Sequence, residues 1–511
     1  MSEAAVFPDL TGEAVKGGPV EKRNYERVSF VLYGLAVVAA LSVWFLAIRA
    51  PLWLDETGSY WNIAGGFRRI WARSIELNSF PAYYYILWLT NLLFGSKEIV
   101  LRIPSVLAMG ATTYVVYRCG RELFSREVAV MAALLFILDR RIVFEAIDVR
   151  PYGFALLMTS LAILRFIRWS KTNRPLYAAL FGIGCAWIFY FHYLFGCIVI
   201  AFAICYVIER GRWALVEWRQ VAIAAGCFVL LMLPVCARLW YLHQTRNTHV
   251  FADAPAFRSF LRALAPGVVP FVFLGIGVIA AATRKLLKPN GESLRQFFVC
   301  ATLAFVPVAI LYGITLATPL HVFVERYEAV AVPGIALSWA WLLSLVDSRS
   351  LRLLCFMALV TWGAYGYYTS PRAGLHGFTW KYALEFADAN AAQDGAPLLI
   401  CSDLPEADFH SMPAGPASES MLFSPLSYYK IRARVVPMPR ALNEQAELIG
   451  RNVSSQAALR HERFLAIGFR PSYPTLRWLE ELTAASHTAR VVGSFDGIQV
   501  VEFDPQNIAA K

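Results

Sequence analysis

The chain of 511 residues is 58% hydrophobic and only 16% charged, with a formal net charge of +11 and a mean hydropathy of +0.50. An ordinary soluble chain is roughly 45–50% apolar and about 25% charged, so a soluble globular enzyme is excluded. The positive charge lies mostly in short loops between apolar stretches, which is a topology signal and argues against a nucleic-acid binder. The nine cysteines form no CxxC pair, so neither a disulfide framework nor a zinc knuckle is expected.

In chain order, a polar tail over 1–27 carrying Lys22, Arg23 and Arg27 leads directly into an apolar stretch at 28–48. That is a retained first helix and not a cleaved leader. Further stretches of spanning character follow at 103–119, 127–140, 151–167, 175–191, 193–209, 219–238, 263–282, 296–317, 328–346 and 351–369. A span needs about 20 predominantly apolar residues, which gives about eleven spans. The loops at 118–126, 165–174, 209–219 and 283–295 are basic and alternate with the basic N-terminal tail. The positive-inside rule puts all of them in the cytoplasm. The segments 50–102, 140–150, 240–262 and 318–327 then face outward. Segment 82–94 is apolar but short and reads as a helix lying in the interface. From 370 to 511 the chain is polar. Short β-like runs (LLICS, RARVVPMP, RFLAIGF, and VVGSF and IQVVEF around Asp496-Gly497) alternate there with helical patterns near 379–392, 441–459 and 474–486. This is a small α/β domain, placed on the same outer side as 50–102.

Three outer segments hold residues that can carry chemistry. Asp55 and Glu56 follow the first span within RAPLWLDETGSYW. Alone, such a pair reads as interfacial acids facing water. Here Trp53, Tyr60, Trp61, Phe67 and Trp71 surround it, and Tyr83 to Tyr85 follow Phe80-Pro81. Rings and a carboxylate at a membrane surface are the ingredients of a carbohydrate site. The second segment is FEAIDVRPYGF, where Pro151 opens the next helix, so that Asp148 and Arg150 lie at a helix N-terminus suited to an anion. The third is HVFVERYEAVAVPG, with Arg326 and Tyr327. An arginine at an outer interface can simply snorkel. Yet Arg102, Arg150 and Arg326 share the face that holds the acids, and guanidinium forks match phosphate oxygens. His192, in FYFHYLFG, falls in a short outer turn among aromatics. No ligand spacing demands a metal, although a divalent ion beside Asp55 is compatible with the residues.

Taken together, these segments resemble the polyprenyl-phosphate-dependent membrane glycosyltransferases of the GT-C superfamily. The resemblance is greatest to the branch of protein O-mannosyltransferases, the lipid A aminoarabinose transferase and the rhizobial galacturonosyltransferases. It rests on Asp55-Glu56, FPAYYYILW followed by Gly95 and Arg102-Ile103-Pro104-Ser105, Gly120 to Phe124, Asp148-Val149-Arg150-Pro151-Tyr152, and Arg326-Tyr327 with Pro333. It covers about 50–170 closely and the tail not at all. Asp148 stands where the family has a longer Glu, and the paired prolines are reduced to one.

The resemblance implies a polytopic α-helical membrane protein: a GT-C-like catalytic domain over 28–369, with its large outer loop at 50–102, followed by the α/β domain at 370–511. It further implies transfer of a sugar from a polyprenyl-phosphate carrier to a glycolipid, polysaccharide or protein acceptor of the cell envelope. The reaction is an inverting displacement on the non-cytoplasmic face of the inner (plasma) membrane, with no cofactor expected. Asp55 and Asp148 would be catalytic. Glu56, Tyr60, Tyr83, Arg102, Arg150, Tyr152, His192, Arg326 and Tyr327 would bind substrate. The competing class is a lipid or sugar transporter or flippase. Such proteins usually carry repeats and polar groups at the bilayer midplane, whereas these helix centres are uncharged.

Overall fold

The computed structural model describes residues 41–46, 48–209, 218–244, 255–264, 288–348, 350–354 and 380–506, with isolated positions within 31–39, at 277 and within 357–365. The tail at 1–27, nearly all of the expected span at 263–282, most of that at 351–369 and the boundary near 370 lie outside the described residues. The membrane part is helical: α1 (Leu54–Ala64), α2 (Ala82–Phe94), α3 (Glu98–Leu123), α4 (Arg126–Ile137), α5 (Arg140–Ala146), α6 (Tyr152–Thr172), α7 (Pro175–Phe191), α8 (Ile198–Glu209), α9 (Trp218–Gln244), α10 (Gly291–Ala317), α11 (Glu325–Glu328) and α12 (Val332–Ser344). Among the described residues, α3, α6, α9 and α10 are long and apolar enough to cross a membrane, and α7 and the segment Tyr193–Glu209 are apolar but shorter. The chain is a multi-pass membrane protein.

Local chemistry sets the helix ends. Ser125 accepts from the Val128 amide at 3.3 Å and caps α4, and Asp139 accepts from the Arg141 amide at 3.0 Å and caps α5. Pro175 starts α7 at the position where its missing N–H costs nothing. Asn173 closes α6 in the left-handed region at φ +51°. Segment 82–94, read as a short helix distinct from the spans, is the 13-residue α2. Its C-terminal Leu89, Leu92, Leu93 and Phe94 are exposed.

Without water to drive helices together in lipid, close backbone approach at small residues supplies the contact. α6 and α7 pack side by side, α9 closes on α7, and α12 packs between α10 and α4. A Cβ at Gly182 of α7 would run into the backbone of Ala224 on α9, and one at Gly334 of α12 would sit 2.7 Å from the Ala304 amide nitrogen of α10.

The C-terminal domain is a five-stranded mixed sheet built from β1 (Leu398–Cys401), β2 (Val435–Met438), β3 (Phe464–Phe469), β4 (His487–Phe495) and β5 (Ile498–Pro505), in the order β2-β1-β3-β5-β4. β1, β2 and β3 are parallel, and β5 runs antiparallel to β3 and β4. The strands fall on the β-like runs of the sequence. Three helices, α13 (Trp380–Ala391), α14 (Glu444–Arg460) and α15 (Tyr473–Thr483), occupy the helical patterns between them. Asp496 and Gly497 both have positive φ, +45° and +93°, as the tight turn of a two-residue hairpin requires. β4 carries a bulge between Val491 and Gly493.

The domain sits on the segment around α1. The Leu52 amide donates to the Tyr429 hydroxyl at 2.6 Å, the Trp61 indole to the Glu419 carbonyl at 2.8 Å, and Thr57 and Ser424 share a hydrogen bond of 3.1 Å. Gly182→Ala should lower the thermal midpoint of the detergent-solubilised protein, at a cost of about 1–3 kcal/mol for overpacking. Gly226→Ala, where an added methyl meets nothing within 4 Å, should leave the midpoint unchanged.

Candidate functional site

The site is built where the segments 50–102, 140–150 and 318–327 converge, and its frame is a buried ion pair. Glu56, at the third position of α1, turns back to accept from the Trp53 amide at 3.2 Å, which satisfies one of the free amides of the helix start. Its two oxygens also receive the fork of Arg102, with Nε to Oε1 at 3.0 Å and Nη2 to Oε2 at 2.6 Å. Oε1 accepts the Val149 amide at 3.0 Å. Arg102 donates further to the carbonyls of Ile48, Ala50 and Pro51. Both side chains are fully buried. One pair therefore joins the end of the first span, the start of α1, the first turns of α3 and the loop before α6.

Asp55 is the next residue on α1 and points the other way. Its Oδ2 accepts from Arg326 Nη1 at 2.7 Å and lies 3.8 Å from Arg150 Nη2. The three side chains keep between 20% and 23% of their surface exposed, enough for a ligand to reach. Arg326 is carried by α11, whose position is fixed through α5. Arg141 forms a fork on Asp139 (Nη2 to Oδ2, 2.7 Å) and reaches Glu328 at 3.7 Å.

Asp148 lies behind this group. The Trp53 indole donates to its Oδ1 at 3.1 Å, while Oδ2 is buried without a hydrogen-bond partner. Burial, reinforced by the neighbouring Glu56, pushes its carboxyl up to about 8. Tyr152, His192 and Tyr327 form an aromatic wall, with ring centroids of 4.9 Å for Tyr152–His192 and 5.1 Å for His192–Tyr327. The Arg326 guanidinium lies 5.2 Å from the Tyr327 ring. Burial, helped by Arg150 and Arg326, lowers the His192 imidazole well below its usual value, so it is neutral. Five buried polar atoms here have no hydrogen-bond partner: Glu145 Oε2, Asp148 Oδ2, Arg150 Nε, Tyr152 Oη and His192 Nδ1. Such a group costs about 1–3 kcal/mol when left unmet. Several such atoms gathered in one place call for a functional account.

The structure thus gathers Asp55, Asp148, Arg150, Tyr152, His192, Arg326 and Tyr327 of the sequence-derived set. It places the other four elsewhere. Glu56 and Arg102, read from sequence as substrate-binding, are given to each other and to backbone, buried beyond a substrate's reach. Tyr60 turns its ring to Tyr428 of the C-terminal domain at 4.8 Å. Tyr83 is fully buried in the core between Tyr84 and Phe154. Glu145 joins the site without having been singled out, although it lies in the quoted run FEAIDVRPYGF. Its signal is the spacing: three residues before Asp148, on the last turn of a short helix. Among the described residues, no group of three or more His, Cys, Asp or Glu side chains is arranged to hold a metal ion.

Comparisons with known proteins bear on this arrangement. Residues 78–240 match the family described as dolichyl-phosphate-mannose-protein mannosyltransferase. ArnT from Cupriavidus metallidurans, in a crystal structure bound to undecaprenyl phosphate, superposes with a TM-score of 0.53 at 13% identity. That match covers 92% of this chain and 97% of ArnT. The chain has the GT-C fold. The Archaeoglobus fulgidus oligosaccharyltransferase, tethered with an acceptor peptide, superposes at 0.52 with 13% identity, covering 94% of this chain and 74% of that one. A search of curated proteins returned no match.

The frame generates a prediction. Glu56→Gln keeps size but leaves the Arg102 charge buried without its counter-ion, and breaking a buried pair costs about 3–5 kcal/mol. The variant should accumulate poorly and melt early, measured by fluorescence-detected size exclusion with a thermal ramp. Normal yield and midpoint would contradict the scaffold role.

Proposed function

We propose that the chain is an integral-membrane glycosyltransferase. It moves a sugar from a polyprenyl-phosphate carrier to an envelope acceptor, whether glycolipid, polysaccharide or protein, by a single inverting displacement. The observation that carries this reading is the trio of Asp55, Arg150 and Arg326: a carboxylate held by two guanidiniums at the end of an apolar bundle of GT-C fold. The match of residues 78–240 to a lipid-phosphate-dependent sugar transferase family supports it.

The chemistry follows from charge. The carrier phosphate presents an anion, and Arg150 and Arg326 supply forked donors for its oxygens. As the anomeric carbon leaves, negative charge grows on that phosphate, and donors already aimed at it stabilise the change without reorganising. Phosphate and Asp55 compete for the same guanidiniums, so a bound donor frees the Asp55 carboxylate to take the acceptor's proton. In this reading Asp148 orients the acceptor or the base, and Tyr152, His192 and Tyr327 line the sugar's side of the site. The active site and the C-terminal domain lie on the non-cytoplasmic face of the inner membrane, with the N-terminus in the cytoplasm. The basic loops at 118–126 and 165–174 support that orientation.

Two measurements test the proposal. Asp55→Asn should reduce transfer by on the order of 10²–10⁴-fold, the usual worth of a general base, with yield and carrier binding retained. Arg326→Ala should weaken carrier binding and Arg326→Lys should restore it only in part, because Lys lacks the fork. Near-normal transfer by a well-expressed Asp55→Asn variant would end this mechanism. For orientation, single cysteines at the exposed positions Ser455 and Thr172 are introduced with the exposed Cys236 replaced by Ala. An impermeant thiol reagent added outside should label the first and spare the second, and the reverse pattern would invert the assigned face.

A further inference from the structure

The reading above uses Asp55 for the acceptor's proton and leaves Glu145 unassigned. Glu145 lies in the last turn of α5, is 1% exposed, and has an Oε2 that meets no hydrogen-bond donor among the described residues. It takes part in no salt bridge among the described residues, and a buried carboxyl without a paired cation stays neutral. Burial first, and Asp148 second, hold it well above the usual carboxyl range, while Arg326 and Arg150 act in the opposite direction. The charged and titratable groups that act on it come from four elements: Asp148 and Arg150 from the loop before α6, Asp55 from α1, Arg326 from α11, and Tyr152, the first residue of α6. A second observation comes from a residue that is not an acid. Tyr152 is 1% exposed, its buried hydroxyl has no partner among the described residues, and it meets the fields of Arg326, Arg150 and Glu145. Two buried, oxygen-bearing groups of different chemistry lie within the field of the same pair of guanidiniums, and the Arg150 guanidinium is 5.8 Å from the Tyr152 ring. The Arg141–Glu328 and Arg140–Glu325 contacts, at 3.7 and 3.4 Å, tie α5 to α11, so Glu145 and Arg326 hold a fixed relation.

We infer that Glu145 is a further reacting group of this site: as the neutral acid it donates to an oxygen of the carrier phosphate and passes its proton over as the sugar leaves. This rests on the proposed carrier-phosphate function. In the step, the acceptor oxygen bonds to the anomeric carbon and the bond from that carbon to phosphate oxygen breaks, its electron pair going to the phosphate. The acceptor's proton goes to Asp55, and Glu145's proton goes to the phosphate. Glu145 is left as a carboxylate facing Arg150 and Arg326, which is why those cations stand beside an acid that is neutral at rest. Water on the outer side returns the proton to Glu145 and removes the one on Asp55. The Tyr152 hydroxyl donates to the same phosphate and transfers nothing.

The test uses undecaprenyl phosphate as probe, with the full chain in lipid nanodiscs and the ³¹P resonance of the bound phosphate followed against pH. In the wild type, the phosphate and Glu145 share a proton and titrate as a pair, so the bound phosphate keeps its last proton to high pH. Glu145→Gln, which keeps shape and neutrality, should bring that titration down by about one unit or more while affinity changes only a few-fold. Glu145→Asp keeps the acid but shortens its reach, and should move the titration part of the way; it also serves if the Gln variant fails to fold. A wild-type ³¹P titration in either folded variant overturns the role of Glu145 and leaves the carrier-phosphate function standing. Failure of the wild type to bind the probe overturns both.

Discussion

The pairing of Glu56 with Arg102 is the constraint on which the rest of the site hangs. Two adjacent acids on α1 have opposite fates because a helix turns about 100° per residue. Glu56 faces inward to a guanidinium and two backbone amides, those of Trp53 and Val149, so Asp55 must face the other way. The pair also holds the Val149 amide, and with it the loop that carries Asp148 and Arg150. Burying two charges is expensive and is repaid only when geometry and extra hydrogen bonds are complete. Here Arg102 has the carboxylate and three carbonyls. What the pair contributes is a single arrangement of three otherwise independent segments.

The site shows how electrostatic opposites are kept apart in a small volume. Asp55 is matched by arginines and partly wet, whereas Asp148 and Glu145 are enclosed and unmatched. Environment alone makes one a carboxylate and holds the other two toward the neutral form. Pairs of acids driven apart in this way are how one constellation can both take and give protons.

Much of this was legible in the sequence, for physical reasons that also mark the limit. Apolar length and the turn at Asp496-Gly497 are local signals, and the fold follows them. Asp55, Arg150 and Arg326 stood out because charge at an outer interface needs a partner. Which partner each charge takes is a tertiary fact. Nothing in the dipeptide Asp55-Glu56 says which acid is enclosed, and nothing in Gly95…Arg102 says that its arginine belongs to the frame and not to the ligand. Tyr60 and Tyr83 look like sugar-stacking rings in the sequence because any tyrosine beside an acid does. Only the seating of the C-terminal domain, with Tyr428 against Tyr60, and the depth of α2 beside α6 distinguish packing from recognition. Glu145 escaped notice since its only signal is its spacing from Asp148, and spacing within one short run does not say which acids the fold encloses.

The C-terminal sheet has one more consequence. Its two free edges are β2 and β4. β2 carries Pro437 in mid-strand, which has no amide hydrogen to offer. β4 is interrupted by the bulge at Val491/Gly493, and its exposed Arg490 is tied back to Glu502 at 2.8 Å. Edges blunted in these ways resist the addition of another strand. Docking of an extended polypeptide by lengthening the sheet is therefore disfavoured, and so is edge-to-edge pairing between the same domains of two copies. Whatever the domain engages, it must grip with loops and side chains.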